Sequence, residues 1–239
     1  MAGLDGMLSG DVLPPLDAGG GGFGTSNKEL MVEARDSLKG NWGLAMLGYL
    51  LYSLLVASFY AFVASTAFFV WMSGSAGGAH GAAATSALYF SVSVIELLVS
   101  GAFLVGFMGF FLGIAQENEA RMELLFLGFR RFWKAFTCYF FVGLFVFLWS
   151  LLLVIPGLIA VFRYSMAYFI IADDEDCGPL EAIGRSKEMM KGNKWKLFCL
   201  HWRFFGWALF ATVFTFGIGY FWLIPYMLTS FAKFYEDVK

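Results

Sequence analysis

Two charged side chains that interrupt long apolar runs are the first candidates for chemistry. Glu96 lies within the run 88–115, and Arg163 lies within the run 135–172. A charge inside an apolar segment of membrane length is costly, so each such residue is a functional candidate. At the helical rise per residue, both side chains fall ~9–12 Å from the predicted outer membrane surface. The spacing predicts that Glu96 and Arg163 can meet as an intramembrane ion pair.

Three interpretations of these two residues stay open at this point. They can form a structural clamp between two helices, form a site linked to proton or substrate movement, or make no contact. Ser93 and Ser100 share the helix face of Glu96, and their hydroxyls can satisfy the remaining acceptor positions of its carboxylate.

His201 and Arg203 are polar residues near the start of a later apolar run. Arg203 follows Lys196 closely enough for its guanidinium to snorkel to a membrane surface. The imidazole of His201 can titrate near neutral pH. We predict an interfacial role for both residues, with a proton relay as the alternative.

The remaining polar clusters do not match a known catalytic or metal-binding pattern. The acidic run 173–176 lacks the spaced ligands and the central glycine of a calcium loop, which favours a solvated run that caps a helix. The sequence has no phosphate loop, nucleophile elbow or zinc-binding helix, and it contains two histidines. We therefore expect no enzymatic activity, no metal and no organic cofactor.

Composition places the chain among integral membrane proteins. Of 239 residues, 59% are hydrophobic and 14% are charged, and the mean hydropathy is +0.71. Soluble domains average roughly 45–50% apolar residues and about 25% charged residues. Too few polar residues are therefore present here to cover a soluble surface. Residues 1–27 contain three aspartates and a glycine run without a signal-peptide pattern, which predicts a flexible cytoplasmic tail before a single membrane domain at 28–239.

Basic residues predict the topology. All but Arg163 and Arg203 of the 16 Lys and Arg side chains fall in four short segments, 28–39, 121–134, 185–196 and 233–239. The loop 73–87 and the predicted turns at Pro156-Gly157 and 217–219 contain none. Positive charge stays on the cytoplasmic side in short loops, which predicts six transmembrane helices with both termini in the cytoplasm.

The sequence also indicates three repeats. Trp133-Lys134-Ala135-Phe136 matches Trp195-Lys196-Leu197-Phe198 at an offset of 62, and the same offset relates Asp174 to Glu236. Residues 35–41 resemble residues 187–193. We predict an all-α polytopic fold of repeats 28–115, 116–174 and 175–236, each an interfacial amphipathic helix followed by a transmembrane hairpin.

Aromatic and small residues add detail to this architecture. Trp42, Trp133 and Trp195 are predicted to anchor the inner ends of the helices in the interface, together with Lys134 and Lys196. A stripe of small residues at helical spacing predicts close helix packing, and it consists of Ala102, Gly106, Gly109 and Gly113.

Several motifs in order resemble a known family. They are Ile155-Pro156-Gly157-Leu158-Ile159-Ala160, Tyr164-Ser165-Met166-Ala167, Ala172-Asp173 and Lys191-Gly192-Asn193-Lys194-Trp195-Lys196-Leu197. From Glu29 to Glu236 the chain is similar to an uncharacterised bacterial integral-membrane family, domain of unknown function nine-seven-five. The resemblance implies a protein of the bacterial inner membrane and supplies no catalytic residues. The tail before Ser26 and the loop 73–87 depart from the family pattern.

Two functions fit these observations. The first is a membrane-embedded interaction or envelope-maintenance protein that contacts lipids or a membrane or cytoplasmic protein partner through its cytoplasmic amphipathic surface. The alternative is a small-solute or lipid transporter with a polar site around Glu96 and Arg163. Nucleic-acid binding is not expected, because the basic segments are short and are balanced by acids.

Overall fold

The computed structural model describes residues 24–117 and 121–239, and within these ranges the chain is helical without a β-strand. The predicted all-α class is therefore confirmed, while residues 1–23 of the predicted tail lie outside the described part. The helices are α1 Asn27–Ser37, α2 Trp42–Glu117, α3 Leu127–Arg130, α4 Phe132–Leu152, α5 Val154–Tyr164, α6 Ala167–Asp173, α7 Pro179–Met189, α8 Lys194–Thr215 and α9 Tyr220–Val238. A 3-10 helix, Met122–Phe126, precedes α3.

Five helical segments of the described chain are long and apolar enough to cross a membrane. They are Trp42–Phe69, Phe90–Gln116, Phe132–Leu152, Val154–Asp173 and Lys194–Thr215. The last turns of α9 contain Lys233, Glu236 and Asp237, which explains why this helix does not belong to the set.

Helix α2 folds back on itself. The rings of Tyr52 and Phe107 stack with centroids 4.0 Å apart, and the Tyr60 hydroxyl donates to Glu96 Oε1 at 2.8 Å. A straight helix would separate Tyr60 from Glu96 by ~54 Å, so the two arms must run antiparallel. The predicted loop 73–87 is nevertheless helical. This segment is rich in alanine and contains no proline, and such a composition permits helix.

The break between α4 and α5 lies at Leu153 rather than at Pro156-Gly157. Leu153 is extended, with φ −166° and ψ 150°, and Pro156 falls in the first turn of α5. Proline is tolerated there because the first amides of a helix have no intrahelical acceptor. The predicted turn after α8 is confirmed, because Phe216 and Gly217 both adopt positive φ, 47° and 91°.

Helices α1 and α7, here called the leading helices, correspond closely. Each has 11 residues, and each ends before a glycine with positive φ, Gly40 at 88° and Gly192 at 83°. Their buried positions coincide at an offset of 152: Leu30, Met31, Ala34 and Leu38 in one, and Ala182, Ile183, Ser186 and Met190 in the other. Their apolar faces therefore pack on the helix bundle, α1 mainly on α9 and α7 on α4 and α6.

The interfacial amphipathic helix predicted at the start of the second repeat, residues 116–134, is replaced by shorter elements. Its described part forms the 3-10 helix, α3 and the start of α4. Backbone contacts explain this difference: a Cβ on Gly106 would overlap the Leu125 carbonyl, and one on Gly128 would overlap the Ala102 carbonyl. The segment therefore lies directly on the second arm of α2. The predicted packing role of Ala102, Gly106 and Gly109 is confirmed.

Gly128→Ala should destabilise the protein, because its Cβ would overlap a carbonyl of the opposing backbone that cannot move aside. Overpacking of this kind costs about 1–3 kcal/mol or more. The matched control is Gly143→Ala in α4, where a Cβ meets no atom within 4 Å. Thermal unfolding in a mild detergent should show a clear loss for Gly128→Ala alone. Equal melting temperatures of the two variants would contradict the close approach.

Candidate functional site

Most of the charged contacts lie at one end of the molecule, here called the polar end. It consists of the leading helices and the C-terminal turns of α2, α6 and α9. At its centre, Asp173 accepts hydrogen bonds from Gln116 Nε2 at 3.0 Å, the Tyr235 hydroxyl at 2.9 Å and Lys239 Nζ at 2.5 Å. One carboxylate thus joins the ends of three helices that are far apart in sequence. Sequence reasoning missed this junction, although the offset of 62 that relates Asp174 to Glu236 also relates Asp173 to Tyr235.

Two lysines make corresponding contacts at this end. Lys134 Nζ donates to the backbone carbonyl of Glu175, and Lys196 Nζ donates to Asp237 Oδ2 at 2.5 Å. Both contacts span 41 residues. The predicted anchors Lys134 and Lys196 therefore tie helices together at the polar end. Two residues of the predicted tail also bond here. The Thr25 amide donates to Asp237 Oδ1, and Asn27 Nδ2 donates to the Lys196 carbonyl.

Arg131 closes the C-terminal end of α6. Its guanidinium donates to the carbonyls of Ile171 at 2.7 Å and Ala172 at 3.0 Å, and it also pairs with Glu175. The last carbonyls of a helix have no intrahelical donor, and a cation stabilises the negative end of the helix dipole. The hydrogen bond and the charge of Arg131 hold the pKa of Glu175 below its usual value.

A charged cleft opens between α6, α7 and α9. Its volume is about 840 Å³, within the range of ligand sites in proteins. Its charged lining comprises Asp173, Asp174, Glu175, Glu181, Arg185, Glu188 and Lys239, and Gly184 lies in its wall. Arg185 pairs with both Asp174 and Glu181 at 2.8 Å.

The acidic run 173–176 differs in part from the predicted solvated run that caps a helix, because the Asp173 side chain is only 16% exposed and accepts three hydrogen bonds, whereas Glu175 and Asp176 are exposed. Asp174 Oδ1 accepts from the backbone amides of Asp176 and Cys177, at 2.9 and 3.2 Å, and thereby orders the chain after α6. In the described residues no group of three or more His, Cys, Asp or Glu side chains has an arrangement that could hold a metal ion.

The structure does not bring Glu96 and Arg163 together. Glu96 bonds to Tyr60 within α2, whereas Arg163 lies beside α7, where its backbone carbonyl accepts from the Ser186 hydroxyl at 3.0 Å. Among the residues that the structure describes, no ion pair joins the two. Counted from the contact between Gln116 and Asp173 at the polar end, Glu96 lies 20 residues back along α2, ~30 Å, and Arg163 lies 10 residues back along α6 and α5, ~15 Å, so the two side chains stand at different levels. Ser100 bonds to the Leu97 carbonyl rather than to Glu96.

His201 lies in an aromatic environment. Its ring stacks on Phe231 with centroids 4.2 Å apart and meets Phe162 edge-on at 5.4 Å, while Nδ1 lies 3.0 Å from the Leu197 carbonyl. These neighbours are apolar rings and a backbone carbonyl, which does not support the alternative of a proton relay. Arg203 points towards α1, with Nη1 3.8 Å from the sulfur of Met31.

The predicted tryptophan anchors differ in exposure. Trp133 and Trp195 project outwards, with 72% and 70% of their surface exposed. Each is followed at i+3 by a phenylalanine whose ring it contacts, Phe136 and Phe198. Trp42 instead packs partly against the core.

Comparison with known proteins identifies the family. The family described as Protein of unknown function (DUF975) matches residues 24–161 and 151–239. The chain belongs to this family. The matched residues include both the polar end and the hairpin of α2, which are thus parts of the family domain. The searches of curated proteins and of solved structures give no match.

Acid should weaken the polar end. Burial raises the pKa of Asp237, but the hydrogen bonds from Lys196 and Thr25 outweigh it, so the pKa lies below its usual value. A lowered pKa stabilises the fold above the unfolded value of about 4, and this stabilisation is lost as pH falls through the folded value. We expect Asp237→Asn to lower the free energy of unfolding by about 1 kcal/mol at pH 7. Below about pH 4, the variant should lose less stability on acidification than the wild type does.

The matched control for this prediction is Asp176→Asn, an exposed aspartate without an ion pair among the described residues. Thermal unfolding in detergent between pH 7 and pH 3 measures both variants. A loss of stability for Asp237→Asn that is the same at pH 3 as at pH 7 would contradict a pH-linked pair.

Proposed function

We propose that this family member is a multi-pass protein of the bacterial inner membrane with six membrane spans in three repeats. The corresponding leading helices and the corresponding contacts of Lys134 and Lys196 support the repeats. The confinement of most basic residues to the polar end supports a cytoplasmic position for that end and for both termini.

Fusion reporters test this topology. Alkaline phosphatase fused after Gly217, in the turn between α8 and α9, should be active, because the enzyme works only outside the cytoplasm. The same enzyme fused after Lys239 should be inactive, and a green fluorescent protein fused there should fluoresce. Equal phosphatase activity at both positions would show that α9 does not cross the membrane.

The role that we propose is docking of a cytoplasmic protein segment in the charged cleft, without catalysis. The cleft of about 840 Å³ is the observation that carries this proposal. The polar faces of the leading helices border open solvent, whereas their apolar faces pack inside the protein. The charged lining of the cleft therefore favours recognition by charge and shape.

The charges of the cleft suit a partner with basic side chains. Five carboxylates and two basic side chains line it, and Arg131 and Lys191 pair with Glu175 and Glu188 from outside. One carboxylate remains in excess. The pairs of Arg185 are half exposed, and such pairs are worth about 0–1 kcal/mol each, so a partner can exchange them at low cost.

Transport of a small solute or lipid has less support. That alternative needs a polar site shared by Glu96 and Arg163, and these residues lie in different parts of the molecule. The following experiment distinguishes binding of a protein segment in the cleft from binding of lipid headgroups at the polar end.

Gly184→Trp should block the cleft without changing its charge. A Cβ at Gly184 meets no atom within 4 Å, so the substitution fills open space. The probe is a fluorescein-labelled (Lys-Gly)₄ peptide, and its binding to the purified full-length protein is followed by fluorescence anisotropy. We expect Gly184→Trp to weaken binding at least tenfold.

The matched control is Leu180→Trp, an exposed position on the same helix outside the cleft, which should bind as the wild type does. Vesicles of phosphatidylglycerol replace the peptide in a parallel titration. If Gly184→Trp binds the peptide as tightly as the wild type does, docking in the cleft is wrong. If the substitution weakens binding of the vesicles and the peptide does not bind, the site belongs to lipid.

A further inference from the structure

The hairpin of α2 contains a second, different site. A groove of about 300 Å³ lies between its two arms and α4. Its polar groups are Glu96, Ser100 and the hydroxyls of Tyr52, Tyr60 and Tyr139. All the helices that form it belong to segments apolar enough to cross a membrane. The groove is thus a small polar patch within otherwise apolar helices.

Glu96 is incompletely satisfied in this groove. The Tyr60 hydroxyl donates to Oε1 at 2.8 Å, whereas an ionised carboxylate can accept about four hydrogen bonds. Among the described residues, no basic side chain forms an ion pair with Glu96. A carboxylate in an apolar segment without a compensating positive charge is costly, and a bound cation removes that cost.

The walls of the groove suit an organic cation rather than a metal ion. Five aromatic residues line it: Tyr52, Phe59, Tyr60, Phe103 and Tyr139. The faces of aromatic rings attract ammonium groups. Hard metal ions instead need several oxygen ligands, and among the described residues Glu96 is the single carboxylate in the lining.

Part of this wall is held in place by packing. Tyr52 stacks on Phe107 at 4.0 Å and Phe103 meets Phe129 edge-on at 4.9 Å, so two of the five rings have fixed neighbours outside the groove. Leu55 and Tyr60 are exposed on the outer surface of the hairpin, so the groove opens sideways. An amphiphile can therefore enter with its charged group first and leave its apolar part against the surrounding apolar surface.

We propose that this groove binds the positive group of a cationic amphiphile, an ammonium carried on an apolar body, with Glu96 as its counter-ion. Charge complementarity and the aromatic walls select the ligand class. The site is independent of the charged cleft at the polar end, so the failure of one proposal leaves the other untouched.

A pair of matched probes tests the site on the wild-type protein. Benzyltrimethylammonium is the cation, and neopentylbenzene is its neutral counterpart of the same shape. Equilibrium binding to the full-length protein in phosphatidylglycerol nanodiscs should be saturable at one site for the cation and at least tenfold weaker for the neutral compound. Equal binding of the two compounds, or no saturable binding of the cation up to millimolar concentration, would overturn the proposal without the need for a variant.

Two charge-neutralising variants then locate the site. Glu96→Gln should weaken binding of the cation at least tenfold, while Arg163→Gln, which removes a charge elsewhere in an apolar segment, should leave it unchanged. Tyr60→Phe keeps the ring and removes the donor, so it should change affinity by less than Glu96→Gln does. Unchanged binding to a folded Glu96→Gln protein would refute the role of this carboxylate.

The lipid composition of the nanodiscs identifies the source of the ammonium. Binding is referred to the uptake of the probe by protein-free nanodiscs of the same lipid, because an anionic phosphatidylglycerol surface concentrates cations. After this correction, phosphatidylethanolamine should compete with the probe and lower its apparent affinity several-fold if the natural ligand is a lipid headgroup. The same affinity in both kinds of nanodisc assigns the groove to a free amphiphilic cation. Both results agree with a cationic amphiphile as the ligand. Equal binding of the neutral compound and the cation is the result that would contradict this ligand class.

Discussion

The arrangement of the helices at the polar end depends on the hydrogen bonds that the Asp173 carboxylate accepts. Its donors come from the last turns of α2 and α9, so one side chain fixes the relative positions of three helix ends. Helices in a bilayer gain little from burying apolar surface against each other, because lipid tails are equally apolar. Directional contacts of this kind therefore contribute much of the specificity with which such helices assemble.

Backbone packing provides the other constraint. Gly128 lets the segment after α2 lie against the Ala102 carbonyl of the second arm, and Gly106 in that arm makes room for the Leu125 carbonyl, closer than residues with a Cβ could approach. The same contact explains why a sequence with amphipathic periodicity forms a 3-10 helix and a four-residue α3. The approach of two backbones outweighs the local preference for a continuous helix. It also positions Arg131, which caps α6 and so supports the Asp173 junction.

The elements that depend on local chemistry were predictable from the sequence. The turn at 217–219 was predicted, and Gly217 provides the positive φ that it requires. The errors arise where long-range geometry decides. Pro156 fits both a turn and the first turn of a helix. The contact between Gln116 and Asp173 sets the common level of α2 and α6, and from it Glu96 lies ~30 Å away and Arg163 ~15 Å away, which the sequence alone does not reveal.

The contact between Tyr60 and Glu96 could not be predicted from the sequence, because it depends on how the two arms of α2 pair. Tyrosine is common near membrane interfaces, so its presence alone does not indicate a binding site. The distribution of charge separates the two sites that we propose. At the polar end, bases accompany acids, and exposed pairs can exchange with a partner at little cost. In the groove, the carboxylate of Glu96 has the Tyr60 hydroxyl as a neighbour and, among the described residues, no basic partner, so selectivity there must come from the charge and shape of the ligand.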